Sequence, residues 1–178
     1  ASLYAVKVLD GAGFGSLSNI IAGIQWAVNN NMDIANISIA GDYSQALQEA
    51  CDAACNEGLL LVAAAGNTYG NVVTYPAAYD SVIAVTGTDK ANQSAYFSPL
   101  GPRVELAAPA LLICSTSEDG GYAELSGTSQ AAPHVTGTAA LMISLGVEDL
   151  NGDGMTDNQD VRQKLHGTAT VSYTHLTL

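Results

Sequence analysis

Residues 125–137, LSGTSQAAPHVTG, run directly into 138–143, TAALMI, and this stretch decides the fold. Apolar and small side chains occupy nearly every face of the predicted helix, so we expect a helix that is buried all round. We expect Pro133 to fall in the first turn, where a missing N–H costs nothing. Ser129 lies at the helix start, where backbone N–H groups lack partners within the helix. Its hydroxyl is placed to attack a carbonyl, and its own N–H to hold the resulting oxyanion.

Strands and helices alternate along the rest of the chain. The residue patterns predict strands at 3–9, 33–41, 59–65, 81–85, 104–108, 111–115 and 122–125, and helices at 16–30, 44–57 and 159–165. The run 59–65, LLLVAAA, is continuously apolar, which is typical of a central parallel strand covered on both faces. The order of these units indicates an α/β fold with a doubly wound, mostly parallel sheet and right-handed crossovers.

Composition limits the function classes. Five Lys and Arg stand against seventeen Asp and Glu in 178 residues, for a net charge of −12. This excludes nucleic acid and membrane as expected partners, since phosphate binding needs clustered cations. Three cysteines cannot all pair with one another, and Cys51, Cys55 and Cys114 are interpreted as small buried side chains. His134 is interpreted as a hydrogen-bonded histidine of the core.

Residues 127–137 resemble the serine motif of the subtilisin-like serine proteases (subtilases). The match contains Ser, Pro, His and two glycines in order over eleven residues, which is far more specific than a three-residue pattern. Gln130 departs from it, because the family more often carries Met there. The resemblance implies a serine endopeptidase that cleaves polypeptide substrates through an acyl-enzyme, with Ser129 as the nucleophile on a buried central helix.

The resemblance also implies an oxyanion donor and substrate-binding segments. Residues 64–67, AAGN, resemble the family's oxyanion segment, so Asn67 is the candidate amide donor. Residues 13–15 and 38–41 resemble the two edges that pair with an extended substrate. Thr74 stands where the family often has Gly, which predicts a shortened primary pocket. The implied substrate-binding residues are Gly13, Gly15, Leu17, Ser38, Ile39, Ala40, Gly41, Ala64, Ala65, Gly66 and Thr74.

Two alternatives remain open in these segments. Leu17 and Ile39 are equally consistent with ordinary core positions. The glycines at 11, 13 and 15 follow a predicted strand, as in a dinucleotide-binding loop, but the third glycine of that motif would have to be Ser16.

A second motif occupies residues 149–160, DLNGDGMTDNQD. Oxygen ligands at positions 1, 3, 5, 9 and 12, with Gly at position 6, match an EF-hand type of calcium loop that has Asp at position 12. The predicted ligands of a structural Ca²⁺ are Asp149, Asn151, Asp153, the carbonyl of Met155, Asp157 and Asp160; no organic cofactor is expected. The alternative interpretation is a solvated acidic loop that caps a helix. The loop looks more like the calcium repeat of dockerin modules than the common subtilisin pattern.

The family's catalytic order is Asp, His, Ser, and no histidine precedes Ser129. His166 follows the serine, and Asp10 follows a strand that matches a different strand of the family. We therefore expect residues 1–170 to be the C-terminal two-thirds of a catalytic domain, inactive alone, and 171–178 to be a non-native tail. The resemblance further implies a secreted protein that is monomeric at full length. The alternative from a different class is a non-catalytic, dockerin-like calcium-binding interaction module, although such modules normally carry a duplicated loop.

Overall fold

The computed structural model describes residues 1–169, and the predicted tail at 171–178 lies outside the described residues. The elements in chain order are α1 (Leu17–Asn29), β1 (Ile34–Ile37), α2 (Gln45–Asn56), β2 (Leu60–Ala64), β3 (Val82–Thr88), β4 (Leu106–Pro109), β5 (Ile113–Thr116), β6 (Tyr122–Leu125), α3 (Thr128–Leu145) and α4 (Asn158–Thr168).

The strands β1 to β4 form one parallel sheet in the order β1-β2-β3-β4. Ile34 lies opposite Leu60, and Leu61 opposite Val82, so each crossover returns the chain to the neighbouring position in the sheet. Every residue of β2 is buried, as the continuous apolar run predicts for a central strand. Strands β5 and β6 form a separate antiparallel ribbon.

Each face of the sheet has its own hydrophobic core. Leu61 and Ala63 of β2 pack with α1 and α2, whereas Leu60, Val62 and Ala64 pack with α3 and α4. This division follows from the period of two along a strand, which sends successive side chains to opposite faces. The predicted doubly wound α/β fold is therefore confirmed, and α3 lies directly against the sheet.

The predicted strand at 3–9 is wrong, because the structure has no strand there. Residues 1–7 are exposed and the segment lies along α1, where a Cβ on Gly23 would come within 2.6 Å of Val8 Cγ1. The ring of Tyr4 lies 6.0 Å from that of Trp26. An alternating pattern reports side-chain preference, but a strand also needs a neighbour to complete its backbone hydrogen bonds.

The prediction that α3 is buried all round is also wrong. One face is buried, with Ala131, Ala132 and Ala139 fully covered, whereas His134 is exposed, Leu141 is 67% exposed and Leu145 86% exposed. The sheet and α4 cover only part of the helix, and composition does not reveal which part. Isolated apolar side chains on a surface are common in folded proteins.

Pro133 does not fall in the first turn as predicted. It is the sixth residue of α3, so its missing N–H leaves the carbonyl of Ser129 without its helical partner.

Two single-residue interpretations also need correction. His134 is exposed rather than in the core, although it does make a hydrogen bond, with Nδ1 2.8 Å from the carbonyl oxygen of Gln130. Cys114 is exposed because β5 belongs to the separate two-stranded ribbon and not to the parallel sheet that the helices pack against. Cys51 is fully buried as predicted, and Cys55 is half-buried.

Candidate active site

Ser129 is the second residue of α3, directly after the N-cap Gly127 and Thr128. A Cβ on Gly127 would lie 3.0 Å from Oε1 of Gln130 and 3.1 Å from Nδ2 of Asn67. The helix start and Asn67 thus approach each other so closely that a larger residue at 127 would push them apart. The serine is placed at the helix start, as the sequence predicts.

Thr128 connects the helix start to the end of β2. Its hydroxyl accepts the N–H of Gly66 at 3.0 Å and lies 3.2 Å from Oδ1 of Asn67. Its backbone N–H donates to the same Oδ1 at 3.0 Å. Since Oδ1 of Asn67 is held by these donors, the amide Nδ2 is left to donate to a ligand. Thr128 is 1% exposed, and sequence reasoning missed its role although it lies inside the quoted motif.

The predicted wall and floor of the primary pocket meet at Gly66 and Thr74. Both the N–H and the hydroxyl of Thr74 donate to the carbonyl of Ala65, at 2.9 Å and 3.2 Å. A Cβ on Gly66 would come within 2.6 Å of the Thr74 hydroxyl oxygen, and Gly66 has φ of +101°, a conformation that favours glycine. Thr74 therefore fills the space against this wall, while Ala64 and Ala65 are buried beside it.

The segment 38–41 joins the same site. Gly41 and Tyr75 form an antiparallel bridge, with N–H to carbonyl distances of 2.8 Å and 3.1 Å. Ser38 lies against Ser129: its hydroxyl donates to the carbonyl of Ser129 at 2.9 Å, and the hydroxyl of Ser129 donates to the carbonyl of Ser38 at 3.3 Å. The structure thus brings together the ends of β1 and β2 and the start of α3, as expected for an open α/β sheet.

The glycine loop before α1 makes mainly local contacts. Asp10 Oδ1 accepts the N–H groups of Ala12 and Phe14 at 2.9 Å and 3.0 Å, which closes the loop on itself. Gly13 is exposed, and a Cβ on Gly15 would clash with Val8. Leu17 is 40% exposed, Ile39 packs on the core, and Ala40 is exposed. Within residues 1–169, Ser38 is hydrogen-bonded to Ser129 and Gly66 to Thr128, whereas this loop has no hydrogen bond to the start of α3.

Neither histidine of the described region bonds to Ser129. His134 is bonded within its own helix, and Nε2 of His166 lies 2.9 Å from Oε2 of Glu105. Arg162 also pairs with Glu105, through its Nε at 2.9 Å and through its NH2 group, and its NH1 donates to the carbonyl of Asp80. His166 is therefore a residue of the end of α4, as predicted, and it lies beside an Arg162–Glu105 ion pair that the sequence did not reveal.

The carboxylates of the 149–160 loop bind backbone N–H groups of the same segment. Asp149 accepts from Gly152 at 2.7 Å and from Gly154 at 2.9 Å, and Asp153 accepts from Met155 at 2.8 Å. Within residues 1–169, no three His, Cys, Asp or Glu side chains converge in an arrangement that could hold a metal ion. In this arrangement the predicted ligands do not form a preassembled calcium site.

Asp160, predicted at position 12 of that loop, has a different role in the structure. It is completely buried, and its two oxygens accept the N–H groups of Leu150 at 2.7 Å, Asn151 at 3.2 Å and Asp157 at 3.0 Å. Asp157 in turn caps α4, so the two residues form a reciprocal capping box. The N–H bonds from Asp157 and Leu150, and then Asn151, lower the pKa of Asp160 below its usual value even though burial opposes them.

Comparisons with known proteins identify relatives of this chain. A family model described as "Subtilase family" matches residues 1–177. The thermostable alkaline protease of Halalkalibacterium halodurans is 47% identical over 171 residues, which cover 96% of this chain and 45% of the relative. Subtilisin NAT of Bacillus subtilis subsp. natto is 45% identical over 175 residues, 96% of this chain and 44% of the relative.

A solved structure gives the same result for the fold. The crystal structure of a cold adapted subtilisin-like serine proteinase superposes with a TM-score of 0.81 at 34% identity, covering 90% of this chain and 57% of that chain. The chain thus spans about half the length of the first curated relatives that it matches. The dockerin-like alternative finds no support in these matches. Among residues 1–169, no helix is long and apolar enough to cross a membrane.

Proposed function

We propose, from the premise that this chain belongs to the subtilase family, that the longer protein containing it is a serine endopeptidase. The single observation that carries the proposal is the anchoring of Asn67 by Thr128 beside the helix start that holds Ser129. A nucleophile, a backbone N–H and a side-chain amide at one helix start are the groups that acyl transfer requires.

In the proposed reaction, Ser129 Oγ forms a bond to the carbonyl carbon of the scissile peptide. The Ser129 N–H and Asn67 Nδ2 hold the oxyanion of the tetrahedral intermediate. The C–N bond then breaks, the leaving amine takes the proton that the serine lost, and water hydrolyses the acyl-enzyme. The proton transfers need a histidine oriented by a carboxylate, and we propose that both come from outside these 178 residues.

The substrate of the proposed enzyme is a polypeptide in extended form. Its backbone would pair with residues 13–15 on one side and 38–41 on the other, with Leu17 and Ile39 lining an apolar subsite. The side chain before the scissile bond would lie between 64–66 and Thr74. Because Thr74 fills space against Gly66, we expect a preference for medium apolar residues over large aromatic ones.

The test of this function is expression of the longer protein with its own sequence ahead of residue 1. We expect turnover of an extended peptide substrate, abolished by Ser129→Ala and retained in the matched control Ser126→Ala, three residues away. The 178-residue chain alone should give no Ser129-dependent turnover. Equal activity of the longer protein and its Ser129→Ala variant would contradict the proposal.

Subtilases bind calcium as a family, and we propose that the 149–160 loop of this protein is a calcium site. Its support lies in the oxygen-bearing side chains of Asp149, Asn151, Asp153 and Asp157, together with the carbonyl of Met155. Four carboxylates in twelve residues repel one another unless a cation neutralises them. Binding would require the exposed carboxylates to exchange backbone N–H groups for the ion, while Asp160 stays bonded to the backbone.

Calorimetry of the 178-residue chain tests the calcium proposal. We expect Ca²⁺ binding that Asp153→Ala weakens, whereas Asp119→Ala, in the turn between β5 and β6, leaves it unchanged. Absence of any heat of binding in the intact chain would remove the site.

We also propose that the longer protein is secreted and monomeric, with polypeptides as its partners and neither nucleic acid nor membrane among them. The family and the net charge of −12 support this. Fractionation of the producing cells and size-exclusion chromatography of the purified protein would check it.

A further inference from the structure

The backbone carbonyl of Ser129 lacks its ordinary helical partner. In an α-helix the carbonyl of one residue accepts the N–H four residues later, and four residues after Ser129 comes Pro133, which has no N–H. A carbonyl in the first turn of a half-buried helix therefore needs a donor from elsewhere.

Ser38, at the end of β1, supplies that donor. Its hydroxyl lies 2.9 Å from the carbonyl oxygen of Ser129. The same hydroxyl oxygen accepts the side-chain amide of Asn36 at 3.0 Å, which directs the hydroxyl hydrogen toward Ser129.

Asn36 is held in turn by the nucleophile's own helix. The hydroxyl of Thr136 lies 3.0 Å from Oδ1 of Asn36 and 3.1 Å from the carbonyl of Ala132. The bonds therefore close a ring that leaves α3 at Ser129, passes through Ser38 and Asn36 of the β1 segment, and returns to α3 at Thr136. Such a ring orders both ends of the contact at once, since the Thr136 hydroxyl donates to Asn36, Asn36 donates to the Ser38 hydroxyl, and that hydroxyl donates to Ser129.

We propose that Ser38 is a positioning residue, whose hydroxyl replaces the N–H missing at Pro133, with Asn36 and Thr136 orienting it. Fixing the carbonyl of Ser129 fixes the peptide plane beside it, and with that plane the direction of the serine side chain. The catalytic consequence rests on the proposed endopeptidase function, whereas the structural ring does not.

The ring can be tested in the 178-residue chain without any activity. Labelling Ser with ¹³C at the carbonyl and Gln with ¹⁵N gives signals from two Ser-Gln pairs, Ser44-Gln45 and Ser129-Gln130. The carbonyl of Ser44 accepts the N–H of Gln48 at 3.0 Å and the hydroxyl of Tyr79 at 2.8 Å, so its signal is an internal control. Loss of the Ser129 signal in Ser129→Ala assigns the pair.

We expect Ser38→Ala to move the Ser129 carbonyl resonance upfield, as loss of a hydrogen bond does, with Ser44 unmoved. Ser38→Thr, which keeps the hydroxyl, should leave the resonance in place. The decisive variant is Ser38→Ala combined with Pro133→Ala, because removing the proline brings back the helical N–H and should return the resonance. The proposal is overturned if Ser38→Ala leaves the Ser129 carbonyl resonance unchanged, or if adding Pro133→Ala to Ser38→Ala does not return the resonance to its wild-type position.

Two further variants keep the test decisive if Ser38→Ala does not fold. Thr136→Val should shift the Ser129 resonance in the same direction by a smaller amount. Its matched control is Thr138→Val, because Thr138 donates to His134 on the same helix and makes no contact with β1 in this ring. Equal effects of the two threonine variants would contradict the role of Asn36 and Thr136.

In the longer protein, Ser38→Ala should lower kcat roughly two- to tenfold with KM unchanged, and adding Pro133→Ala should restore it. If the wild-type protein hydrolyses the peptide substrate and Ser38→Ala has the same kcat, the catalytic part of the proposal is overturned. A wild type with no turnover would instead remove the endopeptidase function, and the carbonyl resonance would still decide the ring.

Discussion

Asn67 Oδ1 lies 3.0 Å from the backbone nitrogen of Thr128 and 3.2 Å from its hydroxyl oxygen. This contact joins the end of β2 to the start of α3, sixty-one residues apart in the chain. It orients the amide of Asn67, because an Asn whose oxygen is held can offer only its nitrogen to a ligand. The position of the proposed oxyanion donor thus depends on the residue next to the proposed nucleophile, Ser129.

Removing the amide donor should slow catalysis in the longer protein. For Asn67→Ala we expect kcat to fall by about 10²- to 10³-fold with a small change in KM, because the donor acts on charge that develops in the transition state; this magnitude was measured on subtilisin itself. Asn71→Ala, in the same loop, is the control. Steady-state kinetics would count against the role of Asn67 if KM rose while kcat stayed constant.

Thr128→Val should destabilise the 178-residue chain. The buried N–H of Gly66 loses its acceptor, which costs about 1–3 kcal/mol. Thr128→Ser keeps the oxygen and should retain most of the stability. Urea unfolding of the three proteins gives the comparison, and equal midpoints for the Val and Ser variants would show that this hydrogen bond contributes nothing.

Thr74→Gly should enlarge the primary pocket. The substitution removes the hydroxyl and methyl groups that lie beside Gly66. The ratio of kcat/KM for a substrate with a large aromatic residue to that for one with a medium apolar residue should therefore rise, by roughly 10-fold or more for each additional methylene group that the pocket can hold. Thr68→Gly, outside the pocket wall, is the matched control. An unchanged ratio in the longer protein would exclude Thr74 as the floor of the pocket.

Asp160 should make the stability of the chain pH-dependent. Its pKa is lower in the folded state than in the unfolded state, mainly through the N–H groups of Asp157 and Leu150, so ionisation stabilises the fold above the unfolded pKa of about 3.9. That contribution is lost as the pH falls from about 4 through the folded pKa. Asp160→Asn should flatten this part of the curve. The check is the melting temperature measured between pH 2 and 7, with Asp153→Asn as the control. If Asp160 has no such role, Asp160→Asn will show the same dependence of melting temperature on pH as the unchanged protein.

The three cysteines should react with iodoacetamide in the order of their exposure. Burial, with Asp52 and Cys55 adding to it, raises the pKa of the Cys51 thiol to about 12, so its thiolate fraction at pH 8 is about 10⁻⁴. Cys114 is exposed and should be modified first, and Cys51 only after unfolding. Mass spectrometry of the native chain would contradict the structure if Cys51 were alkylated as fast as Cys114.

The sequence by itself determined the order of strands and helices from α1 onward, the central place of β2 and the position of Ser129 at a helix start. Those features are local: a continuous apolar run, helical spacing and a long motif of small residues each carry their meaning within a few positions. The same local logic failed at 3–9, at the exposed end of α3 and at Cys114. Burial and strand pairing at these positions depend on which other segments pack against them, and the local residue pattern does not specify those segments.

Only the tertiary structure decided how the site is held together. Thr128 meets Asn67 and Ser38 meets Ser129 across separations of 61 and 91 residues, because parallel strands end at one edge of the sheet and α3 begins there. The same applies to Asp160, which the loop pattern predicts as a metal ligand and which instead accepts backbone N–H groups. A carboxylate accepts hydrogen bonds from the donors that lie within hydrogen-bonding distance in the folded chain, and tertiary packing determines which donors those are.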